Sequence, residues 1–383
     1  MDFELSDEQQ LIRSSAREFC DREIAPFARD WDRSETMDRA IVAKLAALGW
    51  LGAALPEEHG GLGLDAVSYA LIAEELGRAD SSVRGIVSVS IGLVGKTIAR
   101  FGTDAQRRRW LPGLCSGAAL GCYALTEPGA GSDPASLVTR GERDGSEWVL
   151  SGSKLFITLG TWAAFALVFA RTGGDGARGI TCFVVPTDSP GFEARKVEGK
   201  LGLRAQDTAE LHLDGVRVAD ENRLGAEGEG FKVAMSALDN GRISLAAGCV
   251  GIAQGCLDAC LAYTRERHQF GKPLAAFQLV QELIAEIAVE ADAARLLTWR
   301  AAALADAGRP HTLESSVAKY HASETAVRAA NAAVQVHGGY GYVDEYPVGK
   351  YLRDARVTTL YEGTSQIQKL IIGRALTGES AFV

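Results

Sequence analysis

Near the C-terminal end the chain reads YEGTSQIQKL, Tyr361 to Leu370, with a glutamate between a tyrosine and a glycine and a helical-looking segment behind it. A carboxylate on such a bend is either a solvated loop acid or a base held against a weakly acidic hydrogen. Three other stretches carry comparable chemistry. YALTEPGAGSD, Tyr123 to Asp133, offers the hydroxyls of Thr126 and Ser132, and its glycines let backbone amides approach a ligand closely. QVHGGYGYVDEYPVGKYLRD, Gln335 to Asp354, gathers Gly338, Gly339 and Gly341, which suggests a bent or closely approached backbone; His337 alone reads as a core or capping histidine. RERHQFG, Arg265 to Gly271, ends a long helical pattern. A cation there complements the helix dipole and is also what an anionic phosphate needs.

Two stretches imitate nucleotide sites. Gly174 to Gly179, GDGARG, fits GxGxxG, but a β-run, ITCFVVP, follows where a dinucleotide fold requires a helix, so it reads as a hairpin loop. Gly95-Lys96-Thr97 resembles the end of a phosphate loop. Ser90 stands where that loop needs its first glycine, and the segment reads as helix interior.

The elements that must position these residues change texture twice. Up to about residue 120 the pattern is helical: Ser6 and Gln9 form a capping box ahead of Leu11, Ile12, Ala16 and Phe19. A second helix carries Ile41, Val42, Leu45 and Leu48 and stops at Gly49. DAVSYALIAEELG and IVSVSIGLVGKTIARFG read as further helices. From there to about Val218 come short β-rich runs punctuated by Gly, Asp and Ser, as in a small barrel or sandwich. From Gly230 onward, long Ala/Leu-rich stretches with short connections predict an antiparallel bundle. The expected organisation is α+β and multidomain: an N-terminal helical domain (1–120), a middle β-barrel or sandwich domain (121–229) and a C-terminal four-helix bundle (230–383).

The 383 residues are 47% hydrophobic with a net charge of -9, a globular composition that speaks against a nucleic-acid partner. The start, MDFELSDEQQ, is acidic and unlike a signal peptide. Apolar runs such as Ala163–Ala170 read as too short to span a bilayer, so no membrane association is expected. Seven cysteines without a CxxC pair suit buried thiols of a reduced cytoplasmic protein and no metal site.

Taken together, ALTEPGAGSD, the Gln335–Asp354 stretch and YEGTSQIQ resemble, in order and over essentially the whole chain, the acyl-CoA dehydrogenase family of flavoproteins. ALDNGRISLAAGCVGIAQ and ARLLTWRAA look closest to its short-chain, butyryl-CoA-type branch. The resemblance implies FAD, a homotetramer built as a dimer of dimers, and an electron-transfer flavoprotein as acceptor. It places Tyr123, Leu125, Thr126, Gly131, Ser132, Phe156, Ile157 and Thr158 around the flavin ring, with Thr364 and Gln366 also touching FAD. Arg267 of an adjacent subunit, with Gln278, Gln335, Gly338 and Gly339, matches positions along the pyrophosphate arm, and Phe270 matches a further cofactor-binding position. Ser132, Asp239, Arg242, Tyr361 and Gly363 match positions that meet the acyl thioester. Glu362 takes the place of the base that removes the α-proton while the β-hydrogen leaves as hydride to flavin N5, giving a trans-2-enoyl thioester.

Three features depart from the family pattern or resist placement. Phe156 stands where many relatives carry tryptophan, and Leu159 replaces the usual asparagine. Arg84, in SSVRGIVSVSIGLVG, falls where relatives build a substrate wall and reads by default as solvent-facing. It resembles members in natural-product pathways, which act on acyl groups held by an acyl or peptidyl carrier protein; that is the main alternative substrate. An acyl-CoA oxidase and a non-enzymatic helical scaffold are the other readings. The scaffold reading predicts a colourless protein.

Overall fold

The computed structural model describes residues 4–382; the first three residues of the acidic N-terminal stretch lie outside them. The chain begins with helices α1 (Asp7–Glu23), α2 (Ala28–Ser34), α3 (Ala40–Ala47), α4 (Ala66–Ala79) and α5 (Ser81–Ser88). A π-helical segment, Val89–Gly95, then leads into α6 (Lys96–Phe101), and α7 (Asp104–Cys115) follows. Ser6 and Gln9 cap α1 reciprocally, as their spacing predicts. Ala16 and Phe19 of α1 and Ile41, Val42 and Leu45 of α3 are buried, whereas Leu11 and Leu48 are exposed. The short helix α2 has no clear apolar period and is not evident in the sequence. The stretch expected as one helix from Ile86 to Gly102 is interrupted. Its middle is wound as π-helix, a form often found at functional sites, where Gly92 lies close to the backbone of Gly241.

Strands β1 (Gly121–Ala124), β2 (Arg140–Asp144), β3 (Glu147–Thr158), β4 (Phe165–Arg171), β5 (Ile180–Pro186), β6 (Phe192–Lys196), β7 (Thr208–Ala219) and β8 (Arg223–Leu224) form one sheet. Its order is β6-β7-β3-β2-β4-β5-β8, with β1 added in parallel to β4. The GDGARG stretch connects antiparallel β4 and β5 and is a hairpin loop, as expected. The long β3–β7 pairing slips between Lys154 and Ile157. At that bulge Phe156 adopts φ 60° and its ring turns out of the sheet, 63% exposed.

The C-terminal part contains α8 (Gly230–Glu266), a small hairpin of β9 (His268–Gln269) and β10 (Lys272–Pro273), α9 (Gln278–Asp306), α10 (Thr312–His337), α11 (Val348–Thr358) and α12 (Ser365–Thr377). Small side chains let the long helices pack closely: Ala294 and Ala301 of α9 and Ala318, Ala322, Ala326 and Ala330 of α10 are fully buried. The glycine-rich Gln335–Asp354 stretch conceals α11, which ties the parts together. Asp354 accepts from the backbone of Leu203 at 2.6 Å and from Lys350 at 2.6 Å, and Lys350 also reaches Asp80 at 3.2 Å.

The expectation that no apolar run is long enough for a membrane needs correction. Ser81–Phe101 and Gly230–Glu266 pass by length and hydropathy, but 89% and 67% of their apolar windows are packed inside the protein. They are core helices, and serines and glycines spaced through them hide the apolar length in the sequence. All seven cysteines are free and buried.

The loop carrying TEPGAGSD is anchored by a buried ion pair. Lys154 is fully enclosed and donates to Glu127 at 2.7 Å and to the carbonyls of Phe169 at 2.6 Å and Leu125 at 3.2 Å. Glu127 in turn accepts the backbone amides of Val138 at 2.6 Å and Thr139 at 3.0 Å. Replacing Glu127 by Ala strands a buried ammonium, so urea unfolding of Glu127→Ala is expected to show a loss of about 3–5 kcal/mol.

Candidate active site

The segment from Leu360 to Thr364 joins α11 to α12 and carries two consecutive left-handed residues, Glu362 at φ 52° and Gly363 at φ 88°. The second suits glycine; the first costs a glutamate strain, on the order of 1–3 kcal/mol, and persists only if its surroundings hold it. They do. Gln368 donates to the carbonyls of both Glu362 and Gly363 at 3.1 Å, and Lys319 of α10 donates to Gly363 O at 2.7 Å. Thr364 caps α12 by accepting from Ile367 N at 3.2 Å, and Ser365 donates to Glu324 at 2.6 Å. Glu362 is therefore not a solvated loop acid.

As a residue Glu362 is half-buried, but its Oε2 is sealed from solvent and has no hydrogen-bond partner among the described residues. That oxygen presses on α8: a Cβ at Gly241 would stand 2.5 Å from it. Burial pushes the carboxyl above its ordinary 4.5, against the opposing pull of Arg84, Lys319 and Arg242 in that order. Burial likewise lowers Lys319 to about 8, opposed by Cys249 and Glu362. Arg242 is nearly enclosed, loses some proton affinity through burial, and donates to Asp239 at 2.6 Å. Asp239 also accepts from Thr312 at 2.8 Å.

Arg84 requires the largest correction. Far from facing solvent, it is 3% exposed on α5, donating to Ser88 Oγ at 2.9 Å and to the Tyr361 hydroxyl at 2.8 Å. α5 itself looks amphipathic in the sequence; it is enclosed because α8 and the 203–207 segment close over it. Lys319, Gln368, Tyr69, Ser88 and Ser244 were also missed. A signal existed for Lys319: Ser315, Lys319 and Ser323 form an i, i+4 polar row beside the buried Ala318–Ala322–Ala326 stripe.

The flavin-side residues converge from the sheet. Thr158 accepts from Gln206 at 3.2 Å, and Gln206 lies against Gly85, next to Arg84. Tyr123 donates to Ala234 O of α8 at 3.2 Å and packs on Phe169, so it, Leu125 and Ile157 turn their side chains into the core and can offer a ligand mainly backbone. Thr126 is half-buried, and Gly131, Ser132 and Gln366 are exposed. Leu159 is buried at φ 64°, a backbone state that asparagine tolerates better than leucine, so this departure costs local strain.

The remaining predicted residues lie elsewhere. Arg267 follows Arg242 by 25 residues of α8, roughly 37 Å at helical rise. Its guanidinium sits 5.4 Å over Tyr340, near Gln335, Gly338 and Gly339, while Phe270 is 92% exposed and Gln278 is exposed. One chain thus carries two separate groups of these residues. Their types fit FAD: Phe156 is an outward aromatic plate, Arg267 a cation for a pyrophosphate, and Gly131, Gly338 and Gly339 have no atom within 4 Å of where a Cβ would stand. Among the described residues no group of three or more His, Cys, Asp and Glu is placed for a metal.

A helix–sheet–helix chain with a desolvated carboxylate on one turn and an outward aromatic bulge on its sheet fits a flavin-dependent dehydrogenase. Comparison with known proteins agrees. The acyl-CoA dehydrogenase N-terminal, middle and C-terminal domain models match residues 6–118, 122–216 and 228–377. The chain is 43% identical over 370 residues to the mouse mitochondrial short-chain specific acyl-CoA dehydrogenase, covering 96% of this chain and 90% of that one. The structure of butyryl-CoA dehydrogenase from Megasphaera elsdenii superposes with a TM-score of 0.96 at 40% identity, over 98% and 100% of the two chains. That of a glutaryl-CoA dehydrogenase from Mycobacterium smegmatis in complex with FADH2 gives 0.95 at 38% identity, over 99% and 97%. This chain belongs to the acyl-CoA dehydrogenase family. It is an FAD-dependent oxidoreductase with that family's three-part fold, and the scaffold reading is excluded.

Because Glu362 rests on Gly241, a methyl group there must displace the carboxylate. Gly241→Ala is expected to retain the flavin absorption and to lose turnover by about 100-fold, as measured by steady-state assay of the yellow protein.

Proposed function

We propose that the chain desaturates a short acyl thioester, carried as acyl-CoA, between its α- and β-carbons, with Glu362 as the base. The observation that carries this reading is the sealed, unpartnered Oε2 of Glu362 on a strained turn held by Lys319 and Gln368. An α-proton is weakly acidic, and a carboxylate stripped of water is a stronger base for it than a hydrated one. Lys319 and Gln368 hold the loop through its carbonyls, leaving the carboxylate free for substrate. Gly363 permits the left-handed turn against Gln368, whose Nε2 would stand 2.5 Å from a Cβ there, and Asp239, Arg242 and Ser132 are the polar groups offered to the thioester and its pantetheine arm. FAD, when bound, accepts the β-hydrogen as hydride. Phe156, Thr158, Thr126, Gly131, Thr364 and Gln366 are the residues we assign to hold it from this subunit.

The separation of the Arg267 group from the Glu362 group supports assembly of each cofactor site from two subunits; the homotetramer is proposed from the family resemblance. The switch from helix to strand before Gly121 and back at Gly230 supports domains of 1–120, 121–229 and 230–383. Seven free, buried thiols suit a reduced cytoplasmic setting, and an electron-transfer flavoprotein is the proposed acceptor.

The test is an anaerobic visible titration with butyryl-CoA. Bleaching of the flavin band, abolished in Glu362→Gln with the yellow colour intact, supports the assignment; substantial turnover by that variant overturns it. A flavin band that does not bleach makes a carrier-protein thioester or a different acyl chain the leading substrate.

The pH dependence has a definite sign. Glu362 must be ionised to act, and its proton affinity is raised, so activity falls as the solution is acidified through a midpoint above 4.5. Lys319 favours the ionised form. The acid limb of kcat/KM should therefore move up by about one pH unit in Lys319→Met.

A further inference from the structure

Gln206 has no task in the reaction as proposed. It lies 4% exposed on the segment between β6 and β7, and its amide nitrogen donates to the Thr158 hydroxyl oxygen at 3.2 Å. Its amide oxygen is buried and has no hydrogen-bond partner among the described residues. That oxygen rests on α5, where a Cβ at Gly85 would stand 2.1 Å from it. Enclosing a polar group with half its hydrogen-bonding capacity unmet is unfavourable. A leucine would fill similar space without that cost, so packing alone does not account for an amide here.

The segment that carries Gln206 is tied down on every side. The Leu203 amide donates to Asp354 of α11 at 2.6 Å, and Lys200 Nζ donates to the Gln206 carbonyl at 2.8 Å. Asp207 accepts the Thr161 amide at 2.9 Å and the Thr161 hydroxyl at 2.7 Å, and its carbonyl accepts the Leu159 amide at 3.0 Å. Gln206 and Asp207 together therefore grip the end of β3 and the turn after it, the stretch that presents Phe156 and Thr158. Asp207 holds the backbone of that turn; Gln206 reaches the one side chain in it whose direction is otherwise free. Thr158 is half-buried and makes no other hydrogen bond among the described residues. A hydroxyl carries one proton and two acceptor positions. With an acceptor position filled by the Gln206 amide, its own proton is left to be donated away from that amide.

We propose that Gln206 is a positioning residue for the cofactor: its amide, wedged against Gly85, sets the Thr158 hydroxyl so that the O–H is presented to an acceptor atom of the flavin ring. The inference rests on the assignment of Thr158 to the FAD site and names the group that orients it.

The test compares FAD-loaded wild type, Gln206→Leu, Thr158→Val and the double variant. The readouts are the position of the visible flavin band and the FAD dissociation constant, taken from the flavin fluorescence released on serial dilution. Gln206→Leu is expected to displace the band and to raise the dissociation constant about fivefold. In the Thr158→Val background the same substitution should leave the band in place and change the constant by less than about twofold. Gly85→Ala, which drives the amide off Thr158 from the α5 side, should displace the band in the same direction as Gln206→Leu, and it carries the test if the leucine variant does not fold. A Gln206→Leu protein with both readouts unchanged overturns the proposal. So does one that weakens FAD equally with and without the Thr158 hydroxyl, which would make Gln206 a prop between α5 and the sheet. A Thr158→Val protein indistinguishable from wild type takes Thr158 away from the flavin and overturns the inference together with that assignment. Failure of the acyl thioester reading shows separately, as substantial turnover by Glu362→Gln.

Discussion

The site depends on close approach to one helix. α8 presents glycine at Gly241 and Gly248, and at these positions the carboxylate of Glu362 and the stem of Arg84 come to rest almost on its backbone. Contact this tight excludes water, which raises the proton affinity of the carboxyl and strengthens every charge around it. The remaining parts serve that contact. α10 sends Lys319 and α12 sends Gln368 to pin the turn, while α5 carries Arg84 and Ser88 against it.

A buried carboxylate among three cations could simply have formed an ion pair. Here each cation is occupied elsewhere: Lys319 with the Gly363 carbonyl, Arg242 with Asp239, and Arg84 with Ser88 and Tyr361. The cations temper the cost of the charge through space without capping the oxygen that must meet a proton. The left-handed backbone at Glu362 belongs to the same arrangement, because it is the turn from α11 into α12 that brings the side chain round to α8.

The middle sheet contributes by irregularity. The slip in the β3–β7 register pushes Phe156 outward, and the buried Lys154–Glu127 pair behind it fixes the loop that brings Thr126, Gly131 and Ser132 to the same side. The second group, around Arg267 and Tyr340, lies at the opposite end of α8, so the length of that helix separates it from the Glu362 group.

Much of this was legible in the sequence. Capping at Ser6, the helical period on either side of a β-rich middle and the hairpin at GDGARG all follow from local pattern, because caps, periods and turns are properties of neighbouring residues; the role of Glu362 followed only from the resemblance of YEGTSQIQ to the family's segment. The short α2, which shows no clear apolar period, and α11, which begins inside a stretch that Gly338, Gly339 and Gly341 mark as loop, were not legible, and the π-helical break depends on packing against α8. Arg84 is the clearest case. Its neighbours in the chain, Val83 and Gly85, say nothing about its exposure. Its burial and its bonds to Ser88 and Tyr361 arise from α4, α5, α8 and the Tyr361 turn meeting in space. The sequence alone determined which residues could do chemistry and on which kinds of element they ride. Only the tertiary structure decided which of them lose their water together, because desolvation is set by what packs against a group and not by what precedes it in the chain.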